Sequence, residues 1–369
     1  MSENASAPLV VVAAGGTGGH LFPAEALSVA LAQRGAIVDL ATDERATRYG
    51  AAFPARETHV IPSATLRKDD PRTYVTAPLS IVRGVLQARG LLQQLRPAAV
   101  VGFGGYPTVP PVLAAAWLGV PTLIHEQNGV LGRANRMLAP FVRAIATGFP
   151  GVLDAQPKLA AKAVVTGNPV RPAVVAASKT PYAPPATGPF NLVVFGGSQG
   201  ARVMADVVPS AVELLPANVR ERLAIVQQAR EEDLMRVRET YARVSVTAEV
   251  APFFTDMPAR IAAGHLVVSR AGASTVAELA AIGRPGILVP LPHALDQDQA
   301  ANAAVLGKAG GAIPVRQAEF TPKWLAGEIA RLVSEPQRLA SMADAARSAG
   351  ATDAADRLSD LVLHFAARR

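Results

Sequence analysis

The chain is predicted to fold as an α/β protein of two Rossmann-like parallel-sheet domains facing a central cleft, and three observations predict it. Apolar runs of four to six residues alternate with longer helix-like segments, the pattern of strands buried on both faces of a helix-covered sheet. A glycine loop, Gly15-Gly16-Thr17-Gly18-Gly19-His20, follows the run Leu9-Val10-Val11-Val12, and a second, Gly196-Gly197-Ser198-Gln199-Gly200-Ala201, follows Asn191-Leu192-Val193-Val194-Phe195 about half a chain later. The length of 369 residues exceeds the ordinary size of one domain.

Strands are expected in the first half at Leu9 to Ala13, Ile37 to Ala41, Ala99 to Gly102, Thr122 to His125, Ala144 to Thr147 and Val164 to Thr166. Five prolines between Pro172 and Pro189 then break the pattern and read as an interdomain linker, placing the boundary near Arg171. The second series has strands at Leu192 to Phe195, Ala224 to Gln227, Val244 to Ala248, Leu266 to Ser269 and Gly286 to Val289. From Trp324 onward the pattern is helical, with a break at Ser334-Glu335-Pro336. The expected domains are 1–171 and 172–349, with a final helix over 350–369 that crosses back onto the first.

Composition narrows the partners. A formal charge of +7 and a pI near 10.0 favour something anionic: nucleic acid, an anionic membrane face or a phosphorylated substrate. Aromatic residues make up only 5% and do not interleave with basic ones, so nucleic acid is the weakest of the three. The chain has no cysteine, which fits a reducing compartment, and no basic-then-apolar leader, so a cytoplasmic location is expected. The most apolar stretch, Val109 to Ile124, is interrupted by Pro110, Pro111, Gly119 and Pro121, short of the roughly 18 uninterrupted apolar residues that span a bilayer.

Glycine loops after strands bring backbone N–H groups close to an oxyanion, and the following helix adds its positive end. The first loop is no dinucleotide fingerprint, because Leu21 stands where the third glycine would fall, although Asp43 lies at a tolerable distance for a ribose carboxylate. His20 is either a general base beside a bound phosphate or a polar residue in the first turn of a helix. Gly102-Phe103-Gly104-Gly105-Tyr106-Pro107 and His125-Glu126-Gln127-Asn128 end two further strands, where ligands of open α/β sheets gather. Asn128 reads as an amide partner for a sugar or peptide, or as a structural turn residue.

Gly196-x-Ser198-x-Gly200 also matches a hydrolase nucleophile elbow, with Asp256 and His293 as nominal partners. Thr275-x-x-Glu278 after Arg270-Ala271-Gly272 has capping-box spacing, or else leaves the helix end for a diphosphate and Glu278 for ribose hydroxyls. Asp296-Gln297-Asp298 resembles a metal-binding D-x-D, but its glutamine-rich setting, Pro292 to Asn302, suits a polyhydroxylated ligand better, and no metal is expected. Thr65 to Arg96 interleaves Arg83 and Arg89 with Ile81, Val82, Val85 and Leu86, either as a core helix with solvated arginines or as a membrane-resting helix extended by Trp117 and Arg136-Met137-Leu138.

Six loops in this order, with Gly167-Asn168-Pro169-Val170-Arg171 among them, resemble the MurG family of N-acetylglucosamine transferases over almost the whole chain. The resemblance implies the GT-B fold, an acceptor-binding first domain and a donor-binding second one. It implies transfer of N-acetylglucosamine from UDP-GlcNAc, with inversion, to the 4-hydroxyl of undecaprenyl-linked N-acetylmuramyl-pentapeptide (lipid I), forming lipid II. It implies no cofactor and a peripheral place on the cytoplasmic side of the inner membrane, docked through the Ile81, Arg83, Val85 and Arg89 region. For this chemistry His20 is the candidate catalytic base; by motif, Thr17, Gly18, Gly19 and Asn128 border the sugar. Ser198 and Arg171 serve the diphosphate, and Phe254 the uracil. Ala273, Ser274, Thr275, Val276, Ala277 and Glu278 hold the nucleotide, with Glu278 on ribose, and Gln299, with Gln297 as the alternative, takes a sugar hydroxyl.

Overall fold

A computed structural model describes residues 7–15, 18–44, 53–63, 73–197, 200–292, 294 and 297–368, with backbone only for 73–78. Strands run β1 (Leu9–Ala13), β2 (Ile37–Thr42), β3 (Glu57–Val60), β4 (Ala99–Gly102), β5 (Thr122–Glu126), β6 (Ala144–Thr147), β7 (Ala163–Val165), β8 (Phe190–Phe195), β9 (Leu223–Gln228), β10 (Thr247–Ala251), β11 (Leu266–Ser269), β12 (Gly286–Leu288) and β13 (Ala312–Pro314). Helices run α1 (Gly18–Gln33), α2 (Thr73–Leu95), α3 (Val109–Trp117), α4 (Arg133–Leu138), α5 (Pro157–Ala160), α6 (Pro172–Ala177), α7 (Arg202–Glu213), α8 (Ala217–Arg220), α9 (Leu234–Arg243), α10 (Met257–Ala263), α11 (Ala273–Ile282), α12 (Asp298–Ala309), α13 (Pro322–Ser334), α14 (Pro336–Ser348) and α15 (Ala354–Ala366). The chain divides into two compact units, Met1–Arg171 with Asp353–Arg369, and Pro172–Thr352.

In the first unit the strands pair in parallel in the order β3-β2-β1-β4-β5-β6-β7. Because successive strand residues point to opposite faces, the unbroken apolar run of β1 feeds two cores. Val11 and Ala13 pack with Val100 and with Ala88 and Leu92 of α2, while Val10 and Val12 pack with Leu27 and Leu31 of α1. α15 completes the second layer through Leu358 and Val362, and Arg34 of α1 pairs with Asp356 at 2.8 Å and Asp360 at 3.0 Å.

α2 divides its apolar residues between two faces. Ile81 and Val85, expected at a membrane, are instead half-buried against the core with Ala88 and Leu92, while Leu79, Val82 and Leu86 are the exposed ones. The helical repeat explains the correction: 81, 85, 88 and 92 share one stripe, and 79, 82 and 86 lie on another.

The second unit repeats the winding as β10-β9-β8-β11-β12-β13, all parallel. Its main core sets Phe190, Leu192 and Val194 of β8 against α7, α9 and α13. The proline-rich segment, expected as a linker, packs onto this unit. Arg284, whose side chain is among the largest fully buried ones, donates to the carbonyls of Thr180 (3.1 Å), Pro181 (3.3 Å) and Ala262 (3.0 Å), and the Tyr182 hydroxyl donates to the His265 carbonyl at 2.7 Å. Burial among carbonyls without a carboxylate partner lowers Arg284 to about 10.

Candidate active site

In a parallel sheet whose winding reverses beside its first strand, ligands settle at the carboxyl ends on either side of the reversal. In the first unit that point falls between β1 and β4, and in the second between β8 and β11. The glycine loops read from the sequence end these four strands.

In the first unit His20 lies half-buried in the first turn of α1. A Cβ at Gly15 would sit 3.3 Å from its Nδ1, one at Gly105 3.2 Å from Cε1, and one at Gly104 3.5 Å from Cδ2. Gly104 and Gly105 also hold φ of +81° and +76°, a region where side chains are strained. The loop after β4 is therefore glycine twice over, for its backbone and for the imidazole it shelves. Gly18 is buried near the Phe22 ring, whereas a Cβ at Gly19 would meet nothing within 4 Å. Thr17 lies outside the described residues.

The end of β5 adds a buried polar cluster. His125 is fully buried, its Nε2 lies 3.0 Å from the Gly167 carbonyl and its Nδ1 has no partner among the described residues; burial lowers its pKa to about 4. The Gln127 amide donates to the Phe103 carbonyl at 3.0 Å, tying β5 to β4. Glu126, also buried, accepts from Asn128, Gly132 and Asn135, and its pKa is raised because burial outweighs those donors. Arg171 places its guanidinium 4.0 Å from the centre of the Phe22 ring, one helical turn beyond Gly18. Glu25, on the same helix, is raised by burial and lowered by Arg171.

The second unit's reversal point is built of backbone. A Cβ on Gly196 would lie 2.2 Å from the Ala201 nitrogen, so only glycine fits, and the Gly196 N–H donates to Gln228 Oε1 at 3.1 Å. Gly197 and Gly200 hold φ of +88° and +71°. Ser198 lies outside the described residues. The helix that follows β11, α11, starts from Gly272 as N-cap with no side-chain cap bond. This corrects the capping-box reading: Thr275 is the third residue of α11, inside the helix, and the N-cap position carries no hydroxyl. Ala273, Ser274 and Thr275 form the first turn with N–H groups that no cap side chain holds, and Val276, Ala277 and the buried Glu278 follow.

Arg270 does not point toward an anion site; it donates to the carbonyls of Val289 (3.1 Å) and Pro290 (3.2 Å) and to Gln317 Oε1 (2.6 Å). Phe254 is buried with Arg260 4.2 Å over its ring, and Arg260 pairs with Glu249 (2.6 Å) and Asp256 (2.7 Å). That ion pair occupies the Asp256 that a hydrolase triad would need, while His293 and Asp296 lie outside the described residues. Gln297 is the αL N-cap of α12, and Gln299 Oε1 accepts from the Leu291 N–H at 3.0 Å. Asp39, Glu57 and His59 have metal-ligand reach, but both Asp39 oxygens already accept from Arg56, at 2.9 and 2.7 Å. The structure thus brings His20 together with the Gly102–Pro107 loop and gathers Asn128 with Glu126 in the first unit; it places Ala273–Glu278 beside the Gly196 loop's strand in the second. Sequence reading singled out the strand end containing Glu126 without giving that residue a role, and missed Asn135 and Phe22.

Two parallel-sheet units with one winding and glycine loops at both reversal points have the architecture of the GT-B fold. The N-terminal domain of glycosyltransferase family 28 matches residues 10–147 and the C-terminal domain of that family matches 191–358; the chain belongs to this family. It is 59% identical over 361 residues, covering 98% of this chain and 99% of the relative, to the UDP-N-acetylglucosamine--N-acetylmuramyl-(pentapeptide) pyrophosphoryl-undecaprenol N-acetylglucosamine transferase of Rhodopseudomonas palustris strain HaA2. The protein of the same name from strain ATCC BAA-98 / CGA009 is 60% identical over 357 residues, covering 96% of this chain and 98% of that protein. The crystal structure of Acinetobacter baumannii MurG superposes with a TM-score of 0.77 at 32% identity, covering 97% of this chain and 100% of that one. A UDP-N-acetylglucosamine 2-epimerase shares the fold at 15% identity, with a TM-score of 0.65 and 98% of each chain covered.

Proposed function

We infer that this chain transfers N-acetylglucosamine from UDP-GlcNAc to the 4-hydroxyl of lipid I, forming lipid II for peptidoglycan synthesis. The observation that carries the reading is near-60% identity, along almost the full length, to transferases named for that reaction. The second unit holds the donor, its Gly196 loop with Ser198 serving the diphosphate; Arg171, a residue of the first unit, is proposed for the same group. The first turn of α11 and Glu278 take the nucleotide, and Gln299 a sugar hydroxyl. Phe254, with Arg260 over one face of its ring, serves the uracil. The first unit holds the acceptor, with Thr17, Gly18, Gly19 and Asn128 bordering the sugar.

Chemically, the muramyl hydroxyl attacks the anomeric carbon from the face opposite the α-linked UDP. Its proton passes to His20, and the C–O bond to UDP breaks with inversion. Charge gathers on the leaving diphosphate, where N–H dipoles of the loops and helix starts stabilise it together with Arg171.

The lipid acceptor calls for a membrane surface, and no helix among the described residues is long and apolar enough to cross one. We propose peripheral docking on the anionic cytoplasmic face through exposed Leu79, Val82, Leu86, Trp117, Met137 and Phe141 with Arg83 and Arg89; Arg89 sits 4.9 Å over the Trp117 ring. Labelled UDP-GlcNAc incubated with and without a lipid I analogue tests the activity. Label entering lipid only with acceptor supports it; UDP release or an epimer without acceptor overturns it.

A further inference from the structure

Glu126 closes β5 with a carboxylate that is 1% exposed and receives four N–H donors. Oε1 takes both donors of Asn128, its backbone N–H and its side-chain Nδ2, each at 3.0 Å; Oε2 takes the Gly132 N–H at 2.9 Å and Asn135 Nδ2 at 2.8 Å. The Asn128 amide therefore turns its nitrogen toward Glu126 and its carbonyl oxygen away. Gly132 suits the arrangement, since a Cβ there would lie 3.4 Å from Oε2. Asn135 also donates to the His125 carbonyl at 3.1 Å, and its Nδ2 lies 3.4 Å from where a Cβ on Gly104 would stand, on the shelf beneath His20.

We propose that Glu126 is a positioning residue for the transfer, holding Asn128 so that it presents an acceptor oxygen to a hydroxyl or amide N–H of the bound sugar, with Asn135 bracing the same carboxylate from α4. The proposal rests on the reading that Asn128 borders the sugar. Nothing in it requires Glu126 to touch substrate. Its consequence is specificity: the loop selects a ligand group that donates at this point, and an isostere that only accepts is rejected.

A double-mutant cycle on kcat/KM for UDP-GlcNAc, with UDP affinity and thermal unfolding measured alongside, tests it. Asn128→Ala and Glu126→Ala should each lower kcat/KM by about 10- to 100-fold, while Glu126→Ala made in the Asn128→Ala background should change it by less than about threefold. Glu126→Gln should retain more activity than Glu126→Ala, because its Oε1 still accepts from Asn128, although its Nε2 then faces the Gly132 N–H, so activity stays below wild type. Losses that multiply independently would overturn the positioning role and leave the Asn128 reading standing; a silent Asn128→Ala would remove both. If Glu126→Ala does not fold, Asn128→Asp decides: two carboxylates then face each other and one must hold a proton. The activity of that variant relative to wild type should rise about tenfold from pH 8 to pH 6, and a flat ratio would overturn the proposal.

Discussion

The two units wind their sheets alike and furnish their reversal points differently. In the first unit side chains fill the space: an imidazole shelved on Gly15, Gly104 and Gly105, and a carboxylate network from Glu126 to Asn128 and Asn135. In the second, backbone does, with Gly196 packed against Ala201 and α11 starting from a glycine that offers no cap side chain. One topology thus yields a place suited to moving protons and a place suited to holding anions. The division suits a reaction in which one partner must lose a proton while the other leaves as a diphosphate.

The sharpest way to break this contrast is His20→Ala. A positioned base contributes about 10²- to 10⁴-fold, so kcat should fall by that much, while UDP affinity, which the proposed function assigns to the backbone-built unit, should stay within about twofold. Near-normal turnover in a steady-state assay would take His20 out of the mechanism.

Acid should sort the units next. His125 is held neutral at a folded value of about 4 against an ordinary 6.5, so between those values the unfolded chain binds the extra proton and stability falls as pH falls. The loss amounts to about 3 kcal/mol by pH 4. Glu126, raised by burial, works the opposite way in part of that range, so the measurement is the difference between wild type and His125→Phe in chemical unfolding at pH 7 and pH 4.5. A difference that does not change with pH would mean that His125 titrates normally in the folded unit.

What the sequence made legible follows the same physics. Strands buried on both faces, such as β1, β4, β8 and β11, carried their own apolar runs. Two edge strands did not: β3 reads Glu-Thr-His-Val and is largely exposed, and β13 has three residues, so neither was anticipated, whereas the edge strand β7 was expected at Val164 to Thr166 and lies at Ala163–Val165. The strand expected at Val244 to Ala248 lies at Thr247–Ala251, because α9 continues to Arg243 and Ser245 turns the chain at φ +54°. The helical tail is broken twice rather than once, since α14 ends at Ser348 and α15 begins at Ala354. At the site, glycine loops announced themselves by composition, whereas Glu126 and Asn135, nine residues apart across a loop, left no local pattern. Thr275 misled because capping spacing says nothing of where a helix starts, and Gly272 had already started it.

Gly196→Ala probes the backbone-built side. The added methyl would fall 2.2 Å from the Ala201 nitrogen, so the loop must shift, at about 1 to 3 kcal/mol. Weaker UDP binding by isothermal titration, with the first unit's unfolding transition unmoved, is expected; unchanged UDP affinity would place the diphosphate elsewhere.

Gly19→Ala has the smallest effect on the fold and separates fold from function most cleanly. A Cβ there meets nothing within 4 Å, and Gly19 lies in α1, where alanine is favoured over glycine by up to about 1 kcal/mol. The free protein should therefore melt at the same temperature or slightly higher. A ligand approaching the backbone closely would meet the methyl, so KM for the sugar donor or the lipid acceptor should rise several-fold with the fold intact. If both KM values and the melting temperature stay put, the absence of a side chain at Gly19 serves neither protein nor ligand, and the sugar must pass the start of α1 at a greater distance than the Thr17–Gly19 assignment requires.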